Sequence, residues 1–68
     1  MPDYVMNKNP QANGDHEVHE TTCDRKPLPE NQYPLGWHPN CRSAVAKAKT
    51  IDPLADGCFY CCRDCHTR

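Results

Sequence analysis

Hydrophobic and polar residues alternate in two short segments of the N-terminal third of the chain. In residues 3–7, Tyr4 and Met6 fall on one side and Val5 on the other, which is typical of a β-strand. Residues 16–21 alternate in the same way. Between the two segments, Asn13-Gly14 indicates a turn, because both residue types tolerate a positive φ. The pattern therefore predicts two strands joined by a loop.

The middle of the chain predicts a third extended segment and then a helix. Residues 33–37 resemble a strand, but Pro34 and Gly36 restrict it to the edge of a sheet. Asn40 is a suitable N-cap, and residues 41–49 repeat apolar positions at helical spacing on one face. This order of elements predicts an α+β fold, with one helix packed on a small antiparallel sheet of two or three strands.

The C-terminal segment, residues 58–68, concentrates the cysteines of the chain. In a helix, four of them would occupy positions i, i+3, i+4 and i+7 and would form one stripe of sulfur atoms. This stripe consists of Cys58, Cys61, Cys62 and Cys65. We therefore predict a cysteine-rich C-terminal helical segment that binds a metal or forms cross-links.

The length and net charge of the chain limit the classes of protein to which it could belong. A chain of 68 residues predicts a single small domain, 1–68, whose core alone rarely contributes more than about 3–5 kcal/mol. The net charge of −1 makes nucleic acid an unfavoured partner. The N-terminus lacks the pattern of a secretory signal, and no apolar window is long enough to span a membrane. We expect a cytoplasmic protein that needs a metal or cross-links for stability.

Zinc is the metal that the cysteine and histidine spacing favours. Zinc sites commonly combine two closely spaced ligand pairs from different parts of a chain. His19 and Cys23 form one such pair, and Cys62 and His66 form another. We predict these four residues as the primary ligands. The remaining cysteines form a second tier of candidate ligands, because one ion cannot reach both ends of a straight helical stripe about 10 Å long: Cys41, Cys58, Cys61 and Cys65.

Three other uses of the cysteines remain open at this point. Two or three disulfides would link the same elements, and six cysteines allow fifteen pairings. Cys58-x2-Cys61 and Cys62-x2-Cys65 have the spacing of dithiol oxidoreductases, although the βαβ context of that motif is absent. Residues 62–66 also match the CxxCH haem-attachment pattern, with only two residues left to cover the haem.

The run of residues 13–19 (NGDHEVH), with Cys23, Cys41 and the ending DGCxxCCxxCH over residues 56–66, resembles short uncharacterised bacterial proteins rich in cysteine and histidine. This resemblance implies no function. No catalytic arrangement stands out beyond the ligand residues, so we expect a zinc-stabilised binding or accessory module rather than an enzyme. The sequence does not identify its partner, for which a protein is one candidate. A thiol-redox or metal-handling protein is the second hypothesis, and a weak nucleic-acid binder is the third.

Overall fold

The computed structural model describes residues 3–67, so residues 1, 2 and 68 of the predicted domain lie outside the described part. The described chain contains four strands and one α-helix, together with two 3-10 turns, Pro29–Asn31 and Arg63–Cys65. In chain order the main elements are β1 (Asp3–Asn7), β2 (His16–Glu20), β3 (Gln32–Trp37), α1 (Cys41–Ile51) and β4 (Ala55–Gly57). No helix within residues 3–67 is long and apolar enough to cross a membrane.

The four strands form one mixed sheet in the order β3-β1-β2-β4. β1 pairs antiparallel with both β2 and β3, as expected for the three predicted strands. β4 pairs parallel with β2, and this strand was not predicted, so the expected antiparallel sheet of two or three strands is only roughly right. The sequence pattern does not predict β4, because a segment of three residues, Ala-Asp-Gly, is too short and too polar to show the alternation of a strand.

The helix α1 packs its alanine-rich face on the sheet. It begins after Asn40, whose side chain accepts a hydrogen bond from the Ser43 amide at 3.0 Å, as predicted for an N-cap. Its buried residues meet the inward side chains of the strands. The resulting core cluster includes three cysteines among its aliphatic and aromatic members: Tyr4, Met6, Val18, Cys23, Leu35, Ala44, Val45, Ala48, Ala55, Cys58 and Cys62.

The cysteine-rich C-terminal segment is not the helix that the stripe of cysteines suggested. A single helical hydrogen bond joins the Cys62 amide to the Cys58 carbonyl at 2.9 Å, and a 3-10 turn follows at Arg63–Cys65. The segment folds back over Gly57, where an added Cβ would lie 2.7 Å from the Cys62 carbonyl oxygen. Because the backbone turns so tightly here, the sulfurs do not share one face. Cys58 and Cys61 lie beside His19, whereas Cys65 Sγ lies 2.9 Å from Cys41 Sγ.

Candidate metal centre

Four side chains from two separate parts of the chain converge at one end of the sheet. Each offers one ligand atom, and these atoms all lie within 4.8 Å of one another. The set comprises His19, Cys23, Cys58 and Cys61. Three sulfur atoms and one imidazole nitrogen form a donor set that suits a thiophilic ion.

The strand β2 and the turn that follows it supply two of these ligands. His19 lies near the end of β2, and its side chain is 1% exposed. Cys23 follows β2 after a turn in which its amide donates to the Glu20 carbonyl at 3.0 Å. His16, the other histidine of β2, instead contacts the Asn7 carbonyl oxygen and Asp52. The strand therefore contributes only one of its two histidines to the site.

The other two ligands come from the segment that follows β4. Cys58 continues the parallel ladder, because its amide donates to the Val18 carbonyl at 2.9 Å. Cys61 lies one turn later, and its Sγ accepts the Glu20 amide at 3.3 Å. The pairing of β4 with β2 thus brings Cys58 and Cys61 beside His19.

Each of the three cysteine sulfurs accepts a backbone amide hydrogen. The Arg25 amide donates to Cys23 Sγ at 3.4 Å, and the Tyr60 amide donates to Cys58 Sγ at the same distance. The bond from Glu20 to Cys61 Sγ is the third. Amide donors favour the anionic form of a sulfur, which is the form that binds a metal. Loops shaped to present these amides therefore suit a site of thiolate ligands.

His19 is held in the neutral form and in a fixed orientation. Burial lowers the pKa of His19 to about 4, so the imidazole has a free lone pair at neutral pH. Its Nδ1 lies 4.0 Å from Cys61 Sγ, and its Nε2 lies 3.5 Å from Glu17 Oε1. A carboxylate beside the second ring nitrogen is the usual partner of a metal-binding histidine. We therefore identify Nδ1 as the nitrogen that faces the site.

The four ligand atoms lie close enough together to bind one metal ion. Zinc–sulfur distances of about 2.3 Å in a tetrahedron place sulfur atoms about 3.8 Å apart, so ligand atoms within 4.8 Å of one another need only a small contraction. Burial raises the pKa of Cys61, so an ion must displace a proton from this thiol. All six cysteines are unlinked, which leaves these sulfurs available.

The chain matches none of the protein-family models, curated proteins or solved structures with which it was compared. Any inference about what the site binds therefore rests on the geometry and residue types of the site itself. The structure brings together two of the four primary ligands predicted from the sequence, His19 and Cys23, with two residues of the second tier, Cys58 and Cys61.

The other predicted ligands lie outside this set. Cys62 is buried in the core, and Cys41 Sγ lies 2.9 Å from Cys65 Sγ. Burial raises the pKa of Cys62 to about 12 and that of Cys65 to about 11. His66 contacts the Gly57 carbonyl oxygen through Nδ1 at 3.0 Å. The sequence analysis did not predict the short strand β4. The pairing of β4 with β2 decides which cysteines reach His19.

Proposed function

We propose that this protein is a small zinc-binding module in which His19, Cys23, Cys58 and Cys61 hold one structural zinc ion. The observation that carries the proposal is the convergence of these four ligand atoms within 4.8 Å of one another. Three thiolates and one imidazole form a common set for structural zinc, and the full complement of four protein ligands leaves no position for a substrate. This favours a binding or accessory module over an enzyme.

The ion would join two parts of the chain that are distant in the sequence. His19 lies in β2 and Cys23 in the turn that follows it, whereas Cys58 and Cys61 lie in the C-terminal segment after β4. Several large hydrophobic side chains remain exposed and contribute little to the core: Leu28, Tyr33, Trp37, Ile51, Leu54, Phe59 and Tyr60. Structural zinc contributes an apparent free energy of about 10–16 kcal/mol, which exceeds the stability of about 3–5 kcal/mol expected from so small a core.

The unlinked cysteines are also consistent with a reducing compartment such as the cytoplasm, where thiols bind metals more often than they form disulfides. In this compartment the ion would replace the disulfides that stabilise small secreted domains.

Native and denaturing mass spectrometry of the purified chain and of a Cys23→Ser variant tests the proposal. We expect the parent to retain zinc under native conditions and to release it on denaturation, and we expect Cys23→Ser to bind one ion fewer. Cys41→Ser is the matched control, because it removes a thiol outside the four-ligand set and leaves this centre loaded. If Cys23→Ser kept the metal content and melting temperature of the parent, the proposal would be wrong.

A further inference from the structure

Two cysteines outside the four-ligand set lie in contact with each other. Cys41 Sγ lies 2.9 Å from Cys65 Sγ, and either thiol can donate the hydrogen of this contact. Cys41 is the first residue of α1, whereas Cys65 ends the C-terminal 3-10 turn Arg63–Cys65. The two residues are 24 positions apart in the sequence, so the tertiary structure creates the pair. An ion in the four-ligand centre leaves both thiols free, because neither belongs to that set.

The separation of the two sulfurs suits a reversible disulfide bond. The sulfurs of a disulfide lie about 2.05 Å apart, so Cys41 Sγ and Cys65 Sγ have to approach by about 0.9 Å from their present 2.9 Å. Thiols already in contact can form this bond without a large movement of α1 or of the 3-10 turn. The bond would connect the start of α1 to the C-terminal segment.

The pair is accessible to a small reagent. Cys41 and Cys65 are half-buried and line an open cavity of about 180 Å³. By contrast, three other cysteines are buried: Cys23, Cys58 and Cys62. Thiol–disulfide exchange requires access to the attacking sulfur. A small disulfide that enters the cavity therefore meets the sulfurs of this pair.

The charges around the cavity indicate which thiol reacts first and what kind of reagent fits. Burial, and then the neighbouring thiol of Cys41, raise the pKa of Cys65 to about 11, so Cys65 holds its proton at neutral pH. Cys41 lies in the first turn of an 11-residue helix, where unpaired backbone amides favour a thiolate. Arg42 lies at the wall of the same cavity, where its guanidinium attracts carboxylates. These features favour Cys41 as the attacking sulfur and an anionic reagent.

We propose that Cys41 and Cys65 form a redox-active dithiol, which is oxidised to a disulfide by a low-molecular-weight disulfide that carries carboxylates. The Cys41 thiolate attacks one sulfur of the reagent, the S–S bond of the reagent breaks, and one small thiolate leaves. Cys65 Sγ then attacks Cys41 Sγ, and the second small thiolate leaves with the Cys65 proton. In total the two protein thiols lose two electrons and two protons, and the reagent gains them as two thiols. An excess of the small thiol reverses both steps.

The test exposes the reduced, zinc-loaded full chain to glutathione disulfide at neutral pH, followed by acid quenching, intact mass measurement and peptide mapping. We expect a mass about 2 Da below that of the reduced chain, with a cross-link between Cys41 and Cys65. Excess reduced glutathione should restore the original mass. Cys65→Ser should stop at a glutathione adduct on Cys41, because the second attacking thiol is missing.

The variant Arg42→Gln tests whether the reagent enters through the cavity. It should slow oxidation by glutathione disulfide about threefold, because the attraction of the carboxylates is lost, and should leave oxidation by the uncharged hydroxyethyl disulfide nearly unchanged. Lys49→Gln is the matched control, since it removes the same charge from an exposed position in the last turn of α1. A purely structural effect of Arg42→Gln would change the rates with both reagents equally.

Four results would overturn the proposal or separate it from the zinc centre. If the parent keeps its reduced mass, or if its first cross-link joins any other pair of cysteines, the proposal is wrong. Equal slowing of both reagents by Arg42→Gln would refute the class of reagent that we assign. If Cys65→Ser does not fold, early samples of the parent decide: glutathione on Cys41 supports the proposal, and glutathione on another cysteine refutes it. Native mass spectrometry of the same protein gives its zinc content, and a chain without zinc that still links Cys41 to Cys65 refutes only the four-ligand centre.

Discussion

Replacement of Glu17 by glutamine tests whether His19 binds the metal through Nδ1. Glu17 Oε1 lies 3.5 Å from His19 Nε2, the ring nitrogen that does not face Cys61. Loss of a carboxylate that orients a metal-bound histidine typically weakens metal binding 10–100-fold. Because 3.5 Å is longer than a good hydrogen bond, we expect the lower end of this range, about tenfold, which corresponds to about 1.4 kcal/mol.

The assay is competition for Zn²⁺ between the protein and a chromophoric chelator at constant pH. Glu30→Gln is the matched control, since it makes the same chemical change at an exposed residue of the 3-10 turn Pro29–Asn31. We expect the control to bind zinc as the parent does. The two variants should also differ little in stability without metal, by about 0.5 kcal/mol or less. Equal zinc affinity of Glu17→Gln and the control would refute the orientation that we assign to His19.

Three further predictions follow from single contacts. Asn40→Ala removes the side-chain cap on the Ser43 amide and should cost about 1 kcal/mol in the free energy of unfolding, measured in denaturant; Asn40→Ser should recover most of it. Gly57→Ala places a methyl group 2.7 Å from the Cys62 carbonyl oxygen and should lower stability by about 2 kcal/mol, measured by thermal melts; an unchanged melting temperature would contradict the tight turn. Metal binding at pH 5.5 should release roughly three protons, from the thiols alone, because burial lowers the pKa of His19 to about 4 and leaves its imidazole neutral at a pH where an ordinary histidine is protonated. The affinity for the metal should therefore rise with pH. Calorimetry in buffers of different ionisation enthalpy gives the number of protons released. A fourth proton, from the imidazole, would show that burial does not set the pKa of His19.

The local elements of this protein were predictable because each carries its own signal. Alternation predicted β1 and β2, and the structure has them at Asp3–Asn7 and His16–Glu20. The N-cap and the alanine-rich face predicted α1, which spans Cys41–Ile51. Edge signals from proline and glycine predicted a strand at the margin of the sheet, and β3 occupies that margin.

The sequence by itself also indicated which residue types could bind a metal. A small chain with little core and many cysteines and histidines favours sulfur and imidazole ligands. Strand alternation also separates His16 from His19, because positions three apart in a strand face opposite sides of a sheet. The structure agrees, with His19 in the four-ligand set and His16 beside Asp52.

Only the tertiary structure decided which cysteines join His19. The spacing of the C-terminal cysteines fits a helical stripe, but the segment turns sharply at Gly57, so that Cys58 and Cys61 lie beside His19 whereas Cys65 lies beside Cys41. The turn depends on the parallel pairing of three residues of β4 with β2, a contact between distant parts of the chain. Such a contact leaves no local periodicity, because its free energy arises only when both strands and the helix above them are in place.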